Sequence, residues 1–221
     1  RHAVESGISY VEMEVSSQAL KYNRVDNMML DVGIFLNISE DHISPIEHPD
    51  FEDYFASKLK IFAKAKNAVV NLDADFADRI LEASKASERV LTFSTRNPEA
   101  DVYGYDIQKD GHEIVFMVKT AEFDEEFRLT MPGLFNVENA LAVIAASILL
   151  GIPKEYMHSG LYRARSSGRM ELYASKDKKL IAVVDYAHNN LSFEKLFSST
   201  KDDYPDYAIV SIFGCPGKKA Y

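Results

Sequence analysis

The chain has 221 residues, 47% of them hydrophobic and 27% charged, the balance of a soluble globular protein with room for one large or two small domains. A net charge of −9 argues against broad electrostatic binding of nucleic acid, so an anionic ligand would need local cations, helix N-termini or metal. The apolar run Ala140 to Ile152 is too short for membrane insertion, no signal peptide is visible, and the single cysteine, Cys215, excludes an internal disulfide, a usage compatible with the cytoplasm.

In chain order, Arg1 to Ser6 reads as a helix and Ser9–Val15 as an apolar strand, followed by the apolar segment Leu30–Asn37 and a loop to Pro49. Helix Phe51–Ala65, strand Ala68–Asn71, helix Ala74–Ala86 and strand Arg89–Phe93 then alternate. Such alternation predicts an α/β fold with a mainly parallel sheet and helices on its faces. Tyr103–Gln108 and Glu113–Lys119 flank Lys109-Asp110-Gly111-His112 as a hairpin, and Glu126–Thr130 reads as a further strand. Helix Val137–Leu150 stops at Gly151 and Pro153. From Glu171 a new unit begins, with strand Leu180–Val184, helix Ser192–Ser199 and strand Ala208–Phe213, the opening βαβ of a dinucleotide-binding-like domain. The boundary falls near Ser166 to Arg169, giving domains 1–167 and 168–221.

Helical spacing puts Tyr54, Lys58 and Phe62 on one apolar stripe, with Asp53, Ser57, Lys60 and Lys64 largely elsewhere, so Lys58 points inward. Desolvation favours a neutral amine, which can take up carbon dioxide as a carbamate, a carboxylate-like metal ligand. A lysine whose stem covers apolar surface is the alternative. Glu14 ends an apolar strand, where α/β proteins place ligand-binding groups, although a capping or ion-paired carboxylate fits as well. His42 by itself reads as a loop histidine, because magnesium prefers oxygen.

Asn136 is placed to cap the helix that follows, and Asn139 shares its face. An amide can pair donor and acceptor with the N6/N7 edge of adenine. Arg169 follows a glycine at the junction, either a surface arginine or a cation that reaches a nucleotide phosphate when the domains close. Asp185 ends the apolar run Ile181-Ala182-Val183-Val184, which suggests burial; it can hold ribose hydroxyls or cap the next helix. Arg24 suits a carboxylate or phosphate by its fork geometry, with a solvated arginine as the default. The chain contains no Walker A loop: Gly214-Cys215-Pro216-Gly217-Lys218-Lys219 has the wrong spacing and lacks the Ser or Thr.

Six blocks together carry a resemblance: Met13-Glu14-Val15-Ser16-Ser17-Gln18-Ala19-Leu20, Asn37-Ile38-Ser39-Glu40-Asp41-His42, Tyr54 to Lys58, Gly133-Leu134-Phe135-Asn136-Val137-Glu138-Asn139-Ala140, Gly168-Arg169-Met170-Glu171 and Val184-Asp185-Tyr186-Ala187-His188. In this order they are similar to the Mur ligases of peptidoglycan synthesis, and to the MurE type, the UDP-N-acetylmuramoyl-tripeptide synthetases. The resemblance implies a central ATPase domain followed by the start of a Rossmann-like C-terminal domain. It implies Mg2+ on Glu14, His42 and carbamylated Lys58, and adenine at Asn136 and Asn139. Arg169, Asp185, Tyr186 and His188 would complete the ATP site, and Ser16, Arg24 and Lys58 would touch the UDP-muramoyl substrate.

The chain departs from the family pattern after His188, where Asn189-Asn190 replaces the usual Thr-Pro, and at Gln18 and Tyr22, where histidine and glutamine are common. The implied reaction is ATP-dependent ligation through an acyl phosphate. A diamino acid is added to UDP-MurNAc-L-Ala-D-Glu, with L-lysine preferred over meso-diaminopimelate on the segment Gly214 to Lys218. The expected setting is cytoplasmic cell-wall synthesis by an enzyme monomeric at full length. On this reading the sequence is an internal piece that is inactive alone, with the uridine-binding domain and phosphate loop outside it and an unfilled place in its sheet. The alternatives are another Mur or folylpolyglutamate-type ligase, or a non-catalytic nucleotide-binding module on the same fold.

Overall fold

The computed structural model describes residues 5–40, 43–111, 113–177 and 179–214. The first unit is a mixed six-stranded sheet in the order β1 (Leu30–Phe35), β2 (Ala65–Asn71), β3 (Arg89–Ser94), β4 (Val102–Asp110), β5 (Glu113–Lys119), β6 (Asp124–Leu129). Neighbours are parallel from β1 to β4 and antiparallel from β4 to β6. The expected α/β sheet is present, with an antiparallel extension. Helices α1 (Ser17–Lys21), α2 (Phe51–Leu59), α3 (Ala77–Ser84), α4 (Phe135–Leu149) and α5 (Lys154–Arg163) cover it.

Period-two alternation along β2 builds two cores. Ala68 and Val70 turn to one face and join Phe35, Tyr54, Phe55, Phe62 and Ile80. Val69 turns to the other and joins Phe93, Val102, Val137 and Leu141, with α4 laid across that face. The approach of α4 requires a glycine in β4: a Cβ on Gly104 would lie 2.8 Å from Leu141 Cδ1.

Helix α2 ends six residues earlier than its periodicity suggests. The Lys60 N–H closes onto the Ser57 and Lys58 carbonyls, a single 3-10 turn spans Phe62–Lys64, and Ala65 joins the ladder opposite Leu30. Buried ladder pairing overrides helix propensity there. Helix α3 is likewise trimmed to Ala77–Ser84, while β2, β4 and α4 begin earlier than expected. The hairpin strand Glu113–Lys119 forms with its expected bounds; the His112 of its turn lies outside the described residues. Three elements escaped the periodicity: α1, α5 and β7 (Glu171–Ala174). Helix α5 starts at Lys154, with Pro153 as its N-cap.

Two expected strands do not form. Residues 8–16 and 207–214 carry no regular structure, and Tyr10, Val11, Ile212 and Phe213 are exposed. A strand needs a ladder partner, and among the described residues none pairs with the outer edge of β1. In the second unit β7 pairs antiparallel with β8 (Ile181–Val184), followed by α6 (Asn190–Asp203), so a hairpin replaces the expected opening of parallel strands. No described helix is long and apolar enough to cross a membrane. Of the expected helix Arg1 to Ser6, residues 1–4 lie outside the described ones.

Candidate functional site

The carboxyl ends of parallel strands are where ligands bind in open α/β sheets. Asn71 closes β2 there; it is buried, donates to Glu138 Oε2 at 3.3 Å and accepts the Asp73 N–H at 2.9 Å. Asp73 in turn accepts from Ser94 Oγ at 2.5 Å, the Thr95 N–H at 2.6 Å and Thr95 Oγ1 at 3.0 Å. These bonds join the ends of β2 and β3 to the first turn of α4. Sequence reasoning passed over Asn71, Asp73 and Glu138; the polar cluster after the apolar run of β2 was the available signal.

The Gly133 turn feeds α4. Gly133 has φ +89°, and a Cβ there would meet the Phe135 ring at 2.5 Å, so glycine is required twice over. The helix starts at Phe135 with Leu134 as an N-cap that makes no side-chain bond. Asn136 is therefore inside the helix, not its cap as expected. Its amide donates to the Pro132 carbonyl at 2.6 Å and its Oδ1 accepts from Asn139 Nδ2 at 3.0 Å. Asn136 is buried and Asn139 exposed, so the pair orients one solvent-facing amide from a fixed base.

In the second unit the structure brings four candidates together. The Arg169 guanidinium lies 5.2 Å from the centre of the Tyr186 ring, a cation–π arrangement. Asp185 accepts the Met170 N–H on Oδ2 and the Ala187 N–H on Oδ1, both at 2.8 Å. His188 stacks at a tilt 4.8 Å from Tyr186, with Nδ1 2.8 Å from the Tyr186 carbonyl. The expected burial of Asp185 is not found: β8 alternates between half-buried and exposed positions, because a two-stranded hairpin has one open face. Asn189, at the departure from the family pattern, caps α6 and forms a capping box with Ser192.

The remaining candidates lie around α1 and α2. Ser16 is the N-cap of α1, accepting the Ala19 N–H at 3.1 Å. Arg24 is exposed, its guanidinium 6.0 Å from the Tyr22 ring. Glu14 is exposed in an unpaired stretch, so it does not end a strand. Lys58 lies on the side of buried Tyr54, as its spacing indicated, with Nζ 5.2 Å from the ring centre, but it is half-buried and not enclosed. The enclosed position belongs to Ser57, 3% exposed, whose hydroxyl donates to the Asp53 carbonyl at 2.6 Å. His42 lies outside the described residues, as do Cys215 to Lys219. Among the described residues no three His, Cys, Asp or Glu side chains gather to hold a metal ion. Exposed Glu14 and half-buried Lys58 do not make a magnesium site by themselves.

Beside them is a cluster that the sequence did not disclose. His48 is fully buried between Ser17 and Asp53, with Nε2 2.9 Å from Ser17 Oγ and Nδ1 2.6 Å from Asp53 Oδ2. Lys21 donates to the same Asp53 oxygen at 2.6 Å and to the Glu47 carbonyl at 3.1 Å. The Lys21 bond, then the His48 bond, holds the Asp53 carboxyl below its ordinary range.

A family profile described as Mur ligase middle domain matches residues 1–147, and one described as Mur ligase, glutamate ligase domain, matches residues 168–221. The chain is 36% identical over 224 residues to the UDP-N-acetylmuramoyl-L-alanyl-D-glutamate--L-lysine ligase of Enterococcus faecalis, covering 99% of this chain and 44% of the relative. It is 35% identical over 218 residues to the 2,6-diaminopimelate ligase of the same name stem from Clostridioides difficile, covering 98% of this chain and 44% of that protein. The chain thus spans less than half the length of these curated relatives. A solved UDP-N-acetylmuramoyl-L-alanyl-D-glutamate--2,6-diaminopimelate ligase superposes with a TM-score of 0.75 at 25% identity, over 89% of this chain and 41% of that one. MurF from Acinetobacter baumannii shares the fold with a TM-score of 0.67 at 22% identity, over 80% of this chain and 38% of that one.

Proposed function

This chain belongs to the Mur ligase family, and from that premise we propose that the protein carrying it is an ATP-dependent ligase that adds a diamino acid to UDP-MurNAc-L-Ala-D-Glu. The observation that carries this reading is similarity along 99% of the chain to a relative named for that lysine ligation. ATP with Mg2+ is the proposed nucleotide, and cytoplasmic peptidoglycan synthesis by a monomer the proposed setting. In the reaction the γ-phosphoryl group passes to the terminal carboxylate of the dipeptide, and the amine of the incoming diamino acid displaces phosphate from the acyl phosphate. L-lysine is the proposed amino acid, on the segment Gly214 to Lys218 and the similarity to the Enterococcus faecalis enzyme.

Phosphoryl transfer is catalysed mainly by positioning and charge stabilisation, so fixed groups matter more than nucleophiles. Asn139, oriented by buried Asn136, is proposed to read adenine. Tyr186 and His188 offer ring faces, Asp185 rigidifies the turn that presents Arg169, and Arg169 supplies positive charge for a phosphate. Ser16, Arg24 and Lys58 are proposed to contact the muramoyl substrate, and Glu14, His42 and Lys58 are candidate metal groups through the family resemblance. Division into domains 1–167 and 168–221 is part of the proposal and agrees with the two separate sheets. In the intact protein, phosphate release from ATP should require both UDP-MurNAc-L-Ala-D-Glu and a diamino acid. Release with a different acceptor would favour another ligase of the family.

A further inference from the structure

The chain Ser17–His48–Asp53 has the order of a nucleophilic triad, and its burial argues against that use. Ser17 is 4% exposed and His48 0%, so the serine hydroxyl is committed inward and out of reach of a substrate carbonyl. The ionised Asp53 carboxylate can only accept, so His48 Nδ1 carries the hydrogen between them. In the neutral ring Nε2 then accepts from the Ser17 hydroxyl.

The cluster sits between two segments that carry candidate substrate groups. Ser17 opens α1 directly after its N-cap Ser16, and Asp53 lies in the first turn of α2, one turn before Ser57 and Lys58. Helix α1 has five residues, too few to persist without tertiary anchors. Its anchors are Leu20 in the core, the Ser17–His48 bond and the Lys21–Asp53 ion pair. Gln18 adds a bond to the Glu47 carboxylate at 3.3 Å.

We propose that His48 is a positioning residue which fixes the Ser16 turn against the Lys58 helix and thereby sets the affinity for the UDP-muramoyl substrate. The inference rests on the function proposed above. Its imidazole bridges α1 and α2 with two directional bonds, so losing it leaves the Ser17 hydroxyl and Asp53 carboxylate without a common partner and loosens the Ser16 turn, which then rests on Leu20 and the Lys21–Asp53 and Gln18–Glu47 contacts.

The test uses the intact protein with His48→Phe, which keeps a ring in the space and removes both bonds, and His48→Gln, which can restore one. His48→Phe should raise KM for UDP-MurNAc-L-Ala-D-Glu about tenfold while kcat and KM for ATP stay within about twofold, with partial recovery in His48→Gln. Hydrogen exchange over residues 16–22 should quicken while α4 keeps its protection. An unchanged dipeptide KM, or a KM for ATP that rises in step with it, overturns the proposal. If the wild-type protein uses no UDP-muramoyl dipeptide, the proposed function has failed instead; exchange then decides, and unchanged protection over 16–22 overturns the positioning role. Should His48→Phe not fold, Ser17→Ala removes one bond and is read by the same criteria.

Discussion

Asp185 accepts the backbone N–H of Met170 at 2.8 Å, so the end of β8 and the turn Gly168-Arg169-Met170 form one corner. Met170 is 2% exposed and left-handed, with φ +49°, a conformation that a non-glycine residue holds when its surroundings impose it. Asp185→Ala should therefore destabilise the fold by about 1–3 kcal/mol through the orphaned Met170 N–H. It should also disperse the Arg169–Tyr186 contact and raise the ATP requirement. Thermal melts and nucleotide titration of the variant check both effects.

The adenine proposal separates two neighbouring amides. Asn136→Ala removes the bonds to Pro132 and Asn139, a loss of about 1–2 kcal/mol in stability. Asn139→Ala, at an exposed site, should stay within about 0.5 kcal/mol. Both should weaken ATP binding in the intact protein. Calorimetry showing wild-type affinity in Asn139→Ala would remove Asn139 from the nucleotide site.

The packing of α4 on β4 gives a test without any ligand. Gly104→Val drives new carbons into Leu141, whose Cδ1 lies 2.8 Å from the first of them, and should cost about 1–3 kcal/mol by overpacking. Leu141→Ala in the Gly104→Val background should restore part of the loss. Strictly additive denaturation midpoints would contradict the contact.

Acid should loosen the fold through two ion-paired carboxylates. Hydrogen bonds from Lys154 and then His158 lower the Glu125 pKa, as Lys21 and then His48 lower that of Asp53. For a depressed pKa the stabilisation is present above the unfolded-state value and is lost as the pH falls through the folded-state value. Melting temperature should thus hold near neutral pH and decline below the ordinary carboxylate range. Lys154→Met combined with Lys21→Met should flatten that decline, which melts across a pH series would show.

The alternation of apolar runs was enough to read the sheet because β2 is largely buried and β5 alternates buried with half-buried positions, so the ladder carries the period that the sequence displays. The strands expected at Ser9–Val15 and Ala208–Phe213 carry equally apolar sequence but have no ladder partner among the described residues, and pairing is not written in a local pattern. Site residues divided the same way. Asn136, Asn139, Arg169 and Asp185 stand in short local motifs; the structure pairs the two asparagines within one helix turn, and Arg169 and Asp185 with partners across the β7–β8 hairpin. His48 binds Ser17 across 31 positions, a relation that no spacing rule reaches. Lys58 keeps the Tyr54 side that its spacing indicated but is only half-buried, and Ser57, which the spacing placed elsewhere, takes the enclosed position; the helix itself stops at Leu59 to supply β2.

The most direct measurement of the central claim is mass analysis of the product formed by the intact protein with ATP, UDP-MurNAc-L-Ala-D-Glu and equal amounts of L-lysine and meso-diaminopimelate. The account predicts a UDP-MurNAc-tripeptide carrying one added lysine residue, with one phosphate released for each. Binding of ATP with no tripeptide of either kind would contradict it.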